Sequence, residues 1–197
     1  RVPLLENRRK LADDDTVRLG LKTDLSFKNQ LLYSYGKLSY TPEELTAISR
    51  VYDASLIDLD NATADLLDDL KARGVLDDTI VVFTADHGEE FLEHGGVGHG
   101  RKLHEEQVHI PLLWFGPGIP QGRTVQDLGG LIDIVPTLLD ILELAPRGIR
   151  MQGESLRPLW AKNAPPAGRA VLLEEFSGKV EKVAGRDLPY VGRGMVA

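Results

Sequence analysis

All five histidines of this 197-residue chain lie between His87 and His109. The stretch opens with Thr84-Ala85-Asp86-His87-Gly88-Glu89, directly behind the apolar run Ile80-Val81-Val82-Phe83. Carboxylate oxygen and neutral imidazole nitrogen are both good ligands for a divalent cation. Neighbouring side chains on an extended strand point to opposite faces. Asp86 and His87 therefore meet on one ion only where the strand breaks into a turn, and Gly88 permits that break. The chemistry to look for is a metal site at the end of a strand.

The elements that must position this loop are readable on both sides. Thr41-Pro42-Glu43-Glu44 is a strong helix start: Thr41 caps, Pro42 suits the first helical position, and Glu44 completes a capping box. Leu45, Ile48, Tyr52, Leu56, Leu59, Thr63, Leu66 and Leu70 follow at three- and four-residue steps. This spacing predicts a helix over 42–73, stopped by Gly74. Its interleaved aspartates, Asp53, Asp58, Asp60, Asp65, Asp68 and Asp69, read as a solvated face. Asp77-Asp78-Thr79 is a turn, and 79–85 reads as a strand covered on both faces. A second strand spans 110–115, with Pro111 at its start or on an edge. Leu131 to Leu144 has helical spacing, with Asp133 as N-cap and Pro136 in the first turn. Helix followed by buried strand suggests α/β layers. Residues 1–40 are weakly patterned, and Leu11-Ala12-Asp13-Asp14-Asp15 reads as a solvated turn. A short element ends near Trp160, 162–168 is a polar linker, and 170–174 reads as a peripheral strand.

Bulk properties narrow the function classes. With 42% hydrophobic and 27% charged residues, the composition is that of an ordinary globular chain. A net charge of −7 argues against a nucleic-acid or anionic-membrane surface. No apolar run approaches the roughly 18–20 residues of a bilayer span. The N-terminal residues lack the apolar core of a signal peptide. There is no cysteine, so disulfides, thiolate metal sites and a cysteine nucleophile are excluded within the chain. The first residue is arginine, which suggests a processed product or a fragment.

A longer pattern adds to these local readings. Tyr52-Asp53-Ala54-Ser55-Leu56 through Asp60 is followed by Leu76-Asp77-Asp78-Thr79-Ile80-Val81-Val82-Phe83-Thr84-Ala85-Asp86-His87-Gly88-Glu89. Then come Gly98-His99-Gly100, Leu103-His104-Glu105-Glu106, Ile110-Pro111-Leu112 and the Asp-Ile-Val-Pro-Thr helix at Asp133. In this order they resemble the later half of the sulfatase family, within the alkaline phosphatase superfamily. The resemblance covers roughly residues 41–160. It implies an alkaline-phosphatase-like α/β fold, a sheet sandwiched by helices, present as a partial domain. On that reading 1–40 is a lead-in from the first half, 41–160 the core segment, and 161–197 a linker and the start of a C-terminal sheet region.

The resemblance also implies a function: hydrolysis of sulfate esters on a divalent metal. Its alternatives are a phosphodiesterase, phosphonate hydrolase or phosphoethanolamine transferase of the same superfamily, or a non-catalytic binding domain that keeps the fold. Asp86 and His87 match the family's second metal-binding pair. His99 matches the position where family members carry His or Lys toward the substrate anion or leaving oxygen. Calcium is the implied ion for a sulfatase, and manganese, magnesium or zinc for a phosphorus-ester enzyme. The implied substrate is an anionic small-molecule or glycan ester.

His94 reads as structural or rim, while His104 and His109 stand where relatives show Tyr and Arg and stay unassigned. Glu105 and Glu106 orient the loop rather than ligate metal. Arg101 and Lys102 read as solvated cations. The family's nucleophile motif, Cys/Ser-x-Pro-x-Arg, does not occur in this sequence. A formylglycine is therefore expected only outside it, and the chain alone is expected to be inactive.

Overall fold

The structure is a computed structural model. It describes every residue except 1, 101, 146, 147, 162, 163, 165, 166, 184, 185 and 197, and for 175–196 the backbone alone. Its helices are α1 (Leu5–Leu11), α2 (Asp14–Lys22), α3 (Phe27–Ser34), α4 (Pro42–Ala72), α5 (Glu105–Val108) and α6 (Ile134–Ile141). Its strands are β1 (Val81–Thr84), β2 (Glu90–Phe91), β3 (Val97–Gly98), β4 (Leu112–Phe115), β5 (Val171–Val183) and β6 (Arg186–Val196). They pair antiparallel as β1–β4, β2–β3 and β5–β6. The chain forms two compact units, Arg1–Asp77 with Glu89–His99, and Asp78–Gly88 with Gly100–Ala197.

In the first unit α4 is the spine. Both halves of the expected capping box form: Thr41 Oγ1 accepts from the Glu44 N–H, and Glu44 Oε2 accepts from the Thr41 N–H. At the other end Gly74 N–H donates to Lys71 O and Val75 N–H to Leu70 O, which closes the last turn. The helix runs without a break over 31 residues. Its first half is buried against α1 and α2 through Ala47, Ile48 and Ala54. The expected stripe does not stay covered beyond that, and Leu56, Leu59 and Leu66 are exposed. Length is the reason. Helices of seven and nine residues span roughly 10 and 14 Å, against about 46 Å for α4.

One sequence reading changes here. Asp58 is not a solvated-face aspartate: its carboxylate accepts from the Leu4 N–H at 2.8 Å and the Asn7 side-chain amide at 2.6 Å. Asn7 is fully buried, so this carboxylate satisfies the start of α1, where the first N–H groups lack partners. The 11–15 segment is, as expected, an exposed turn, and it links α1 to α2: Asp13 caps α2 by accepting from the Thr16 N–H, a bond that lowers its carboxyl below the ordinary value, and Asp14 pairs with Arg9 at 3.0 Å.

In the second unit β1 aligns with β4 from Val81↔Phe115 to Thr84↔Leu112. Pro111 precedes β4, as expected. Coverage on both faces is not met. All four β1 residues are half-buried, and β4 alternates half-buried Leu112 and Trp114 with exposed Leu113 and Phe115. A two-stranded ribbon cannot cover its own faces.

The densest polar packing surrounds Asp133, which is 2% exposed. It accepts from Gly130 N–H, Glu154 N–H and Arg169 Nη2 at 2.9, 2.8 and 2.7 Å. Fully buried Thr137 donates to Asp133 O and accepts from Leu156 N–H. Asp133 was expected simply to cap a helix. Its carboxylate instead ties the start of α6 to the 154–156 turn and to Arg169, just before β5.

Replacing Asp133 by Ala should destabilise the chain by about 2–3 kcal/mol, because the Gly130 and Glu154 N–H groups lose their buried acceptor, while the half-buried Arg169 guanidinium keeps Leu128 O and Glu154 as partners. Urea unfolding checks this, and a loss under about 1 kcal/mol would place the pair outside the core. A second expectation concerns acid. The hydroxyl of Ser155, and next the Arg157 guanidinium, hold the Asp140 carboxyl below its ordinary value. Its contribution is complete above the ordinary carboxylate range and is lost as pH falls through the depressed folded value. Ser155→Ala should flatten the acid limb of a stability-versus-pH curve while leaving its shape above pH 6 unchanged.

Candidate functional site

β1 ends at Thr84, and the chain turns through Ala85 and Asp86. Asp86 Oδ1 accepts from the His87 N–H at 3.0 Å, which folds the carboxylate back over the turn. His87 Nδ1 lies 2.9 Å from Gly88 O. A carbonyl only accepts, so Nδ1 carries the hydrogen, and the lone pair of the neutral ring is on Nε2. That nitrogen lies 3.7 Å from Asp86 Oδ2.

This geometry fits a divalent cation. Two donors each about 2.0–2.5 Å from one ion sit roughly 3–4 Å apart. The fixed Nδ1–H is the arrangement that metal-binding histidines use. The Asp86 side chain is 86% exposed, so an ion can reach it. Two donors are fewer than the four to eight such ions take. Among the described residues no group of three or more His, Cys, Asp or Glu side chains is assembled to hold a metal.

Gly88 makes the turn possible for a reason other than the one expected. A Cβ there would lie 2.0 Å from Glu106 O, and the Gly88 N–H donates to Gln107 O at 2.9 Å. The need is close approach to α5 rather than a left-handed backbone. Gln107, nearly buried, also accepts from the Gly100 N–H through its side chain. Glu105 pairs with His109 at 3.0 Å, in line with an orienting role. His104 precedes α5, and its carbonyl accepts from the Gln107 N–H. Lys102 is exposed, and Arg101 lies outside the described residues.

His99 belongs to the other unit, with Glu89 to Glu93 and His94. There β2 and β3 form a small hairpin with Glu90 opposite Gly98. Its organiser is Glu90, fully buried, whose carboxylate accepts from His94 N–H and Gly96 N–H. Gly98 has φ of 88°, and a Cβ would lie 2.4 Å from the Gln30 side chain. His99 Nδ1 is 3.2 Å from Glu89 Oε2 and 3.3 Å from Oε1. Tyr52 stacks edge-on with Phe91 at 5.3 Å. Burial, then the Glu89 and Asp53 carboxylates, push its phenol above the ordinary value. Sequence reading missed both Glu89 and Glu90. The two-residue strands that pair Glu90 with Gly98 leave no repeating pattern in the sequence that could have signalled them.

Around the strand-end carboxylate–imidazole turn and the histidine hairpin, the chain of mixed helix and sheet has part of an alkaline-phosphatase-like α/β fold. The Sulfatase family model matches residues 21–144, more than half of the sequence, and the chain belongs to that family. It is 37% identical over 120 residues to arylsulfatase K of Canis lupus familiaris, covering 61% of this chain and 22% of that protein. Arylsulfatase K of Homo sapiens is 35% identical over 120 residues, with 61% and 22% covered. The chain thus spans about a fifth of the length of these relatives.

Among solved structures, the phosphonate monoester hydrolase of Agrobacterium radiobacter aligns with a TM-score of 0.66 at 28% identity, over 87% of this chain and 36% of that one. A protein solved in complex with its substrate D-glucosamine-2-N,6-O-disulfate aligns at 0.62 and 28%, over 83% and 34%. Among the described residues no helix is long and apolar enough to cross a membrane.

Calorimetry with calcium, manganese, magnesium and zinc should give weak binding to this chain, and none in Asp86→Ala. Tight stoichiometric binding that survives Asp86→Ala would mean the ligands lie elsewhere.

Proposed function

We propose that this chain supplies the second metal-binding pair and the leaving-group donor of a sulfate-ester hydrolase. The observation that carries the reading is the 3.7 Å convergence of Asp86 Oδ2 and His87 Nε2 at the end of β1. Asp86 and His87 are the residues that would hold a divalent cation, calcium in this reading. When bound, the cation offsets the charge of the ester group and of the attacking oxygen. His99 acts on the departing oxygen. As the ester S–O bond breaks, its electron pair stays on that oxygen, which takes a proton from the His99 imidazolium and leaves the ring neutral. The nucleophile, a formylglycine in this reading, is not among the residues of this chain.

The relatives favour sulfur over phosphorus: those that match at 35–37% identity are arylsulfatases. The substrate class we propose is a sulfated sugar or small aryl sulfate. A sulfated glucosamine in a neighbour of 28% identity supports the sugar. Phosphate and phosphonate esters are the comparison, since another neighbour hydrolyses phosphonate monoesters. His94, His104 and His109 stay unassigned in this reading.

The test is turnover of 4-nitrophenyl sulfate, 4-nitrophenyl phosphate and glucosamine 6-sulfate. Full-length protein should favour the sulfates, and Asp86→Ala should lose on the order of 10³-fold or more. This chain alone should show no enzymatic rate, because loss of a covalent nucleophile usually costs several orders of magnitude. Metal-dependent turnover by the chain alone would mean the site is complete within it. Preference for phosphate would overturn the sulfatase reading, and an inactive full-length protein would leave the non-catalytic binding domain.

A further inference from the structure

We infer that Glu89 is a positioning residue for His99: it fixes the ring's tautomer and orientation, so that proton transfer falls to Nε2. The inference rests on the reading of His99 as leaving-group donor.

The backbone sets up the pair. Glu90 and Gly98 face each other across the antiparallel β2–β3 ladder. Glu89 and His99 are the next residues outward on either side, so their side chains are cross-strand neighbours by register. Both carboxylate oxygens lie near the same nitrogen, Nδ1, at 3.2 and 3.3 Å. An ionised carboxylate only accepts, so the hydrogen of the neutral ring is drawn to Nδ1. The hairpin gives little room for the pair to drift. Buried Glu90 ties down the 94–96 turn, and Gly98 is pressed against Gln30. The Glu89 side chain is the more covered partner, at 22% against 43% for His99. A shielded carboxylate behind a more open imidazole is the order of parts that orients a general acid or base.

The inference differs from a plain surface ion pair in what it fixes. An ion pair is indifferent to which ring nitrogen holds the proton. A positioning carboxylate is not: it keeps one proton on Nδ1 through the cycle, while the other leaves Nε2 for the ester oxygen.

Two measurements test it. Long-range ¹⁵N–¹H spectra of the histidine-labelled chain, at a pH where the ring is neutral, should show His99 as the Nδ1–H tautomer. In Glu89→Ala it should shift toward the Nε2–H form that imidazole favours in water, with the His109 signals as a control for folding. A wild-type ring in the Nε2–H form, or a tautomer unchanged in Glu89→Ala, overturns the inference whether or not the enzyme is active. Should Glu89→Ala unfold, Glu89→Gln takes its place, and the wild-type tautomer alone still decides.

The second measurement uses full-length protein and sulfate esters of rising leaving-group pKa. Glu89→Ala should cost about 10- to 100-fold in kcat for alkyl esters and little for 4-nitrophenyl sulfate. Glu89→Asp should recover part of the loss, and His99→Ala should show the same leaving-group trend. An equal loss for every ester marks Glu89 as merely structural and overturns the inference. A loss in His99→Ala without one in Glu89→Ala does the same, while the parent reading stands. Undiminished turnover in His99→Ala, with the Nδ1–H tautomer present, overturns the parent reading instead.

Discussion

The contact on which the candidate metal turn depends is the bond from Gly88 N–H to Gln107 O. It pins the end of β1 to α5 with so little room that a single methyl at Gly88 would meet Glu106 O. Without that anchor, Asp86 and His87 would continue as strand residues and point to opposite faces. With it, the chain turns immediately after Thr84. The Asp86 carboxylate folds back onto the His87 N–H, and the imidazole is fixed through Nδ1 to the next carbonyl. The remaining polar atoms of the two side chains then face each other. A backbone hydrogen bond to a residue nineteen positions away thus brings together two potential donors, in a chain where no group of three or more such ligands is assembled among the described residues.

The other unit works by the same economy of backbone and carboxylate. Asp58 on α4 satisfies the start of α1, Glu44 the start of α4 itself, and Glu90 the turn of the β2–β3 hairpin. Each is a carboxylate that accepts from main-chain N–H groups which would otherwise lack partners. These bonds explain why an acidic chain holds together around small buried cores. A good share of its negative charge is used against backbone amides rather than against lysine or arginine.

Much of this was legible in the sequence where one local rule decides. Thr41-Pro42-Glu43-Glu44 specifies a helix start by itself, and α4 begins and ends within a residue of expectation. The strands at 81–84 and 112–115, and the placement of Pro111 before the second, follow from apolar runs and from proline's missing donor. The clustering of the histidines likewise led to the Asp86–His87 turn. What was not legible depends on tertiary partners. Whether Asp58 faces water or Asn7 is set by α1, and nothing in the α4 spacing separates it from Asp60. Asp133 looks like a helix cap in any window around it, because Arg169 and Glu154 are far along the chain. The short α1 to α3 have too few residues for periodicity to rise above noise. The 86–109 stretch looked like one loop because two-residue strands leave no repeating pattern, although the Glu89–His99 pair is a consequence of their register.

Charge imposes an order on whatever this chain binds. Between residues 86 and 109 it carries Asp86, Glu89, Glu90, Glu93, Glu105 and Glu106, against Arg101 and Lys102. The carboxylates of Glu89 and Glu90 are engaged with His99 and the hairpin amides. On the proposed reading, an anionic ester approaching this segment by itself would meet a net negative field, in a chain whose overall charge is also negative. On that reading, a divalent cation held by Asp86 and His87 would reverse the sign locally, since a bound ion is commonly the largest charge in a site. Cation before ester is therefore the order the electrostatics favours.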